Sequence, residues 1–315
     1  MKLYTQFLIG NQNRYSGVEL AKVTESGMAH DAGDRWRSST KRTPSQLWQY
    51  TCSLVDRKKG SLVVDDSLLD KRYARKNELA RKQYSGNEHG LVNGICLVNL
   101  RWTEGAEYVP VDYRLYQKET DELTKNDHFR NRLDTAEKRG FEPASILMDC
   151  WYSSIENLKA IRKKKWHFIC SLKSTRQVSV EQGTYLSIAE LELTDRQVRR
   201  VWLNEFGSVL VCALVAANGD STFLATDDDA LTDYEHYVNR FQTRWKIEEF
   251  HRGIKQTTGI EKCKSIKAKS QKTHIFSAFV AFVRLERERL KSGLSWYEQK
   301  AMIARLATAN YLATA

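Results

Sequence analysis

Hydrophobic and polar positions change period several times along this chain, and the changes divide it. Up to about residue 57 the pattern is helical. Ser16-Gly17-Val18-Glu19 has capping-box spacing ahead of ELAKV. A turn-prone Thr24-Glu25-Ser26-Gly27 follows, then HDAGDRWRSS. Two short helices around a glycine-containing turn are compatible with a helix-turn-helix. Thr43-Pro44 reads as a cap followed by proline in the first turn of a helix over SQLWQYTCSLV. From Gly60 the period shortens. SLVV (61–64) predicts a strand ending at Asp65-Asp66, and HGLVNGICLVNLR (89–101) and AEYVPVDYRLY (106–116) predict two more, joined by a turn near WTEG. KNDHFRNRLDTAEKR (125–139) reads as a helix that Gly140 ends. SILM is a further strand, closed by Asp149. Ser153 with Glu156 caps a helix over ENLKAIRKKK, and HFICSL follows as a strand.

Three strands, then helix, strand, helix, strand predict a mixed sheet with helices packed on it, an α/β arrangement. Between 174 and about 225 the rhythm breaks. YLSIAELELT, RQVRRVWLNEFG, SVLVCALVAANG and STFLAT read as consecutive strands, a β-rich insertion. Helical periodicity resumes at Asp233 and continues, after a basic loop from Lys262 to Lys272, into two C-terminal helices. The expected divisions are 1–57, 58–173, 174–225, 226–268 and 269–315.

Composition changes this picture in one respect. Lys and Arg number 50 against 39 Asp and Glu, so 50 − 39 leaves a net charge of +11. A surplus of that size favours a polyanionic partner, or serves solubility alone. The six cysteines stand at least twenty residues apart with no Cys-x-x-Cys, which argues against a zinc site and suits reduced, buried thiols. The N-terminus has no signal-type apolar core, and the apolar run IFSAFVAFV falls short of the roughly 20 residues that span a bilayer. The expectation is a cytoplasmic protein with no membrane partner.

Candidate chemistry lies in three acidic residues. Two apolar strands end in an aspartate, Asp66 and Asp149, and sites in open α/β sheets gather at the carboxyl ends of strands. Either aspartate also suits a plain strand-ending turn. The third is Glu248. On a helix turning about 100° per residue, Phe241, Arg244, Glu248, Arg252 and Lys255 share a stripe about 80° wide, with Glu249 off to one side and Trp245 and Ile247 flanking it to pack inward. The stripe is either a solvated face with an Arg244–Glu248 pair or a carboxylate facing a metal with cations above and below it for phosphate oxygens. Two aspartates and a glutamate are hard oxygen ligands for Mg²⁺ or Mn²⁺ in phosphoryl transfer. His251 falls outside the stripe and has no ligand partner one turn on, so it packs or contacts phosphate.

The same residues resemble the Tyr-(2)-Arg-(3)-Glu-(6)-Lys signature of DDE transposases of bacterial insertion sequences. It reads here Phe241, Arg244, Glu248, Lys255 with matching spacing; VVDDS and LMDCWYSS resemble the two aspartate motifs. The resemblance spans roughly 10–310. It implies an RNase H-like catalytic core with a β-rich insertion and flanking N- and C-terminal helical segments. It also implies Mg²⁺-dependent cutting and joining of transposon ends, with Mn²⁺ able to substitute, and a homodimer on double-stranded transposon-end and target DNA. Asp66, Asp149 and Glu248 become metal ligands, Asp66 rather than Asp65 because the family aspartate directly precedes a small hydroxyl residue. Phe241, Arg244, Arg252 and Lys255 become DNA contacts. Phenylalanine in the tyrosine position cannot donate a hydrogen bond to phosphate. Trp202, in the insertion, is a candidate for stacking on a flipped base, or a core residue. A catalytically inactive DNA-binding derivative and another RNase H-like nuclease are the alternatives.

Overall fold

The computed structural model describes residues 1–314 except 25, 26, 87, 182, 195, 217 and 218. Short helices come first: α1 (Lys2–Gly10), α2 (Gly17–Lys22), α3 (Ala32–Ser39) and α4 (Trp48–Thr51). Ser16 caps α2 by accepting the Glu19 N–H, as its spacing predicts. Of the turn expected at 24–27, Glu25 and Ser26 lie outside the described residues. The α2–α3 pair packs inward: Leu20 and Trp36 join the core, and Arg37 of α3 is buried and donates to the Tyr4 hydroxyl at 3.1 Å.

The first half of the sheet comprises β1 (Ser61–Asp70), β2 (Arg81–Ser85), β3 (Gly90–Thr103) and β4 (Val109–Tyr116). Then come α5 (Lys125–Lys138), β5 (Ser145–Met148), α6 (Ile155–Lys163) and β6 (Phe168–Leu172). β1 runs on past both aspartates, where the sequence pattern placed its end. Thr124 and Asp127 form the capping box that starts α5, and the cap of α6 is Ser154, one residue later than expected. β7 (Gln177–Ser179), β8 (Leu186–Ser187), β9 (Arg199–Leu203), β10 (Gly207–Val215) and β11 (Ser221–Thr226) follow, then α7 (Tyr234–Gln242), α8 (Lys246–Thr258), α9 (Ala268–Ser292) and α10 (Trp296–Ala313).

Among the described residues all eleven strands join one sheet, ordered β2-β3-β1-β5-β6-β11-β10-β9-β7-β8, with β4 also on β3. β1, β5 and β6 are parallel, whereas β1–β3 and β3–β4 are antiparallel. The segment expected as an insertion therefore extends the core sheet, because β11 pairs directly with β6.

Alternation along the strands sorts their side chains between two faces. Leu62, Val64, Val98, Leu100, Ile146 and Met148 join one apolar cluster with Phe129 and Leu133 of α5 and Leu158 and Ile161 of α6. Val63, Leu147 and Ile169 point the other way, against Tyr237, Val238 and Phe241 of α7 and Ile247 of α8. Leu69, Ile95 and Leu97 share that second face with Phe250 and Ile254 of α8 and the long buried flank of α9. Ile247, Phe250 and Ile254, at helical spacing, each contribute about 1.5–3 kcal/mol by burial and hold α8 on the sheet. Gly259, at φ +59°, ends α8 in a left-handed conformation beside the Tyr15 ring.

Candidate active site

Strand alternation decides which acidic residues meet. The register of β1 on β5 pairs Ser61 with Ser145 and Val63 with Leu147. Two residues further, that register carries Asp65 toward Asp149, which lies just beyond the end of β5. Both point to the face that α7 and α8 cover, as do Val63 and Leu147 before them. Asn99, opposite Asp65 on β3, shares that face and bonds His251 of α8 at 2.8 Å. Asp66 faces the other way. Its carboxylate takes Lys125 Nζ at 2.9 Å and the Tyr152 hydroxyl at 3.3 Å, beside the Cys96 thiol at 3.8 Å. The sequence pattern groups Asp66 with Asp149 and Glu248; a one-residue step along a strand exchanges the faces, and in this structure Asp65 is the β1 aspartate on the face that α7 and α8 cover, while Asp66 still acts on Asp149 as a nearby charge.

Charge crowding marks the Asp65 side as the unusual one. Burial, then the Asp149 and Asp66 carboxylates, push the Asp65 carboxyl up to about 8, against the Asp66 N–H and Arg244. Asp149 is also raised, by burial and then by Asp66, although Arg244 and the N–H groups of Trp151 and Tyr152 oppose the shift. Burial raises Glu248 too, with Arg244 and Arg252 opposing.

Residues 243–245 form a single 3₁₀ turn between α7 and α8, so the signature stripe is not one continuous helix. The Thr243 hydroxyl bonds the Arg240 carbonyl at 2.7 Å. Three residues at about 120° instead of 100° turn α7 by roughly 60° relative to α8. Phe241 is buried, 7% exposed, in the core. From there it supports Arg244, whose guanidinium lies 5.5 Å from its ring centroid, and does not reach the surface where DNA would lie. Trp245, expected to pack inward, is 55% exposed, whereas Ile247 is buried.

Arg244 pairs with Glu248 at 3.6 Å, and its buried Nε has no hydrogen-bond partner. Arg252 is exposed on the same helix. Lys255 is already engaged: its ammonium donates to the Leu68 carbonyl at 2.7 Å and lies 3.5 Å from Glu261, tying α8 to β1. His251 is buried and its pKa falls to about 3, first through burial and then through Lys255 and Arg101; it packs as a neutral ring, not as a phosphate contact. Glu249 turns away and accepts from the Tyr108 hydroxyl, so the two adjacent glutamates divide their roles by rotation about the helix. Trp202 is partly exposed on β9, in the outer part of the sheet. Trp151, not among the sequence candidates, is 56% exposed, donates its backbone N–H to Asp149 Oδ1 at 3.0 Å and has Lys125 over its ring. The signal was present, an aromatic residue two positions after the strand-ending aspartate.

The donor set at Asp65, Asp149 and Glu248 is all carboxylate oxygen, which suits a hard divalent cation, and a cation would relieve the repulsion that raises Asp65. Among the described residues no three such groups stand close enough to hold an ion as they are, and Glu248 is held by Arg244.

A sheet with parallel β1, β5 and β6, antiparallel β3 and β4, and acidic side chains on its central strands defines an RNase H-like fold. Residues 57–284 match the transposase DDE domain family, so the chain belongs to that family of DNA transposases. Its fold is similar to that of piggyBac transposase in a synaptic complex with hairpin DNA: TM-score 0.58 and 11% identity, over 96% of this chain and 68% of that one. A Drosophila P element transposase in a strand transfer complex aligns with 60% of this chain and 47% of its own, at TM-score 0.31 and 12% identity. No curated protein matches in sequence. Among the described residues no helix is long and apolar enough to cross a membrane.

Proposed function

We propose that this transposase is the cutting and joining enzyme of a bacterial insertion sequence, acting on the terminal repeats of its element as a homodimer on DNA. Asp65, Asp149 and Glu248 hold Mg²⁺, or Mn²⁺ in its place. Held there, such an ion would activate the attacking water and stabilise the leaving oxygen. The protein's own groups do the rest. Asp65 and Asp149 fix the site on rigid neighbouring strands, and α8 brings Glu248 over them. Arg244, with an uncommitted Nε, and Arg252 grip phosphate oxygens; Lys255 holds α8 to β1 and so fixes the height of Glu248. When Arg244 turns to phosphate, Glu248 is released toward the two aspartates. Water and then a DNA 3′-hydroxyl serve as successive nucleophiles, with no covalent enzyme intermediate. Trp202 and Trp151 are the candidate stacking partners for an unpaired base.

What supports this reading is that β1, followed two residues beyond its pairing of Val63 with Leu147, carries Asp65 toward Asp149 on the sheet face that α7 and α8 cover, with Arg244 acting on both carboxyls. The test uses purified protein, Mg²⁺ and duplexes carrying the inverted repeats that flank its coding region. Wild type nicks them; Asp65→Asn and Glu248→Ala bind them and leave them intact. Normal cutting by either variant refutes the assignment. Binding without cleavage by wild type, in both Mg²⁺ and Mn²⁺, identifies an inactive derivative.

A further inference from the structure

Two basic segments that are far apart in the sequence lock together beside the far end of β1. Residues 71–82 carry Lys71, Arg72, Arg75, Lys76, Arg81 and Lys82 against one acid, Glu78; residues 261–272 carry Lys262, Lys264, Lys267, Lys269 and Lys272 against Glu261. The buried Lys71 ammonium donates to the carbonyls of Glu261 at 2.6 Å and Cys263 at 2.8 Å. The Glu78 N–H meets the Ile266 carbonyl at 2.9 Å, while its carboxylate accepts the Ala268 N–H at 2.7 Å and pairs with Lys267 at 3.3 Å. Asn77 reaches the Ser265 carbonyl at 3.4 Å. The acid and the buried lysine are consumed in this fastening, and Arg72 and Arg81 are neutralised by Asp70, Glu88 and Glu119. What remains outward is Arg75, Lys76 and Lys82 from one segment and Lys262, Lys264, Lys269 and Lys272 from the other. All are exposed, and no ion pair engages them among the described residues. Tyr73, 91% exposed, stands among them.

We propose that these two segments form one phosphate-binding surface for duplex DNA flanking the scissile position. It rests on the proposed function only for its placement. From Asp65 the strand runs five residues to Asp70, about 16 Å at 3.3 Å per residue, and α8 runs a similar length from Glu248 to its end. DNA lying along this edge rises about 3.4 Å per base pair, so backbone contact begins about five base pairs from the cut. Solvated lysines scattered over a surface need no shared framework. Here hydrogen bonds fix the spacing of the two rows, which preorganises them for a polyanion. The contact is to phosphates, so it is independent of base sequence.

The test is binding of full-length protein to a fluorescent 30-base-pair duplex of arbitrary sequence, without metal, across a range of NaCl concentrations. Arg75→Glu with Lys76→Glu, and separately Lys264→Glu with Lys269→Glu, should each weaken binding about tenfold or more at moderate salt and flatten the salt slope by nearly two, at about 0.9 per lost phosphate contact. Lys159→Glu with Lys163→Glu, on the opposite face, should change neither. Glutamine versions of both basic pairs serve if the reversed charges disturb folding. Wild-type slopes in both basic variants, or an equal loss in the α6 control, overturn the proposal. Because no cutting is required, these results stand even if the enzyme proves inactive. On a duplex that is cleaved, the phosphates that lose hydroxyl-radical protection in the variants should lie about five or more base pairs from the cut; loss confined to the cut itself overturns the placement.

Discussion

Asp65 and Asp66 are neighbours with opposite electrostatic situations, and neutralising each should move stability in opposite directions. Asp65 rises from 3.8 to about 8 on folding. Proton linkage between those values at pH 7 makes its burial cost up to about 4 kcal/mol. Asp65→Asn keeps an acceptor for the Asp66 N–H and removes the charge. With about 2.1 cal/mol/K of unfolding entropy per residue, 315 residues convert 4 kcal/mol into a rise of roughly 6 °C in the melting temperature. Asp66→Asn instead strips Lys125 of its ion-pair partner in a site where that lysine side chain is only 20% exposed. A loss of about 1–3 kcal/mol follows, with a lower melting temperature. The assay is thermal unfolding at pH 7 in EDTA, repeated in excess Mg²⁺. Wild type should gain stability from Mg²⁺ and Asp65→Asn should not. If Asp65→Asn melts lower than wild type in EDTA while Asp66→Asn melts higher, the assignment of faces is refuted.

Other outcomes follow from the same structure. The metal-free protein should be most stable near pH 6.5. Below that pH the buried His251 and His274, both lowered to about 3 mainly by burial, bind protons only on unfolding, so acid destabilises. Above it Asp65 releases its proton on unfolding, so stability falls toward pH 8, and melting curves of Asp65→Asn should lose that alkaline decline. Gly253→Ala would set a Cβ 2.6 Å from the Trp296 ring, and denaturant titration should show a loss of about 1–3 kcal/mol from overpacking α8 against α10.

Much of this architecture is legible in residue order. The runs SILM and SVLVCALV, the end of α5 at Gly140 and the inward position of Ile247 all announce what they become. Local pattern failed where a neighbouring strand or a single turn decides. β2 is a polar strand, RKQYS, visible only through its pairing with β3. YLSIAELELT alternates like a strand, yet Ser187 and Glu190 cap one another and bend it into a 3₁₀ turn after two strand residues. The choice between Asp65 and Asp66 depends on pleat parity, and pleat parity requires knowing that β1 continues to Asp70. Phe241, which ideal helical geometry places on a polar stripe, is buried in the core. Trp151 was readable, but only beside an aspartate already recognised as part of a site.

α9 has consequences beyond packing. Phe250 of α8 rests on Phe279 and Phe282, and Phe282 on Trp296, so the seat of Glu248 is built from residues translated after it. A chain still on the ribosome can fold its two aspartates into place while the glutamate has nothing to lean against. Under the proposed function, nuclease activity is withheld until α9 and the start of α10 have been made, and a product that stops before them is born harmless to the chromosome.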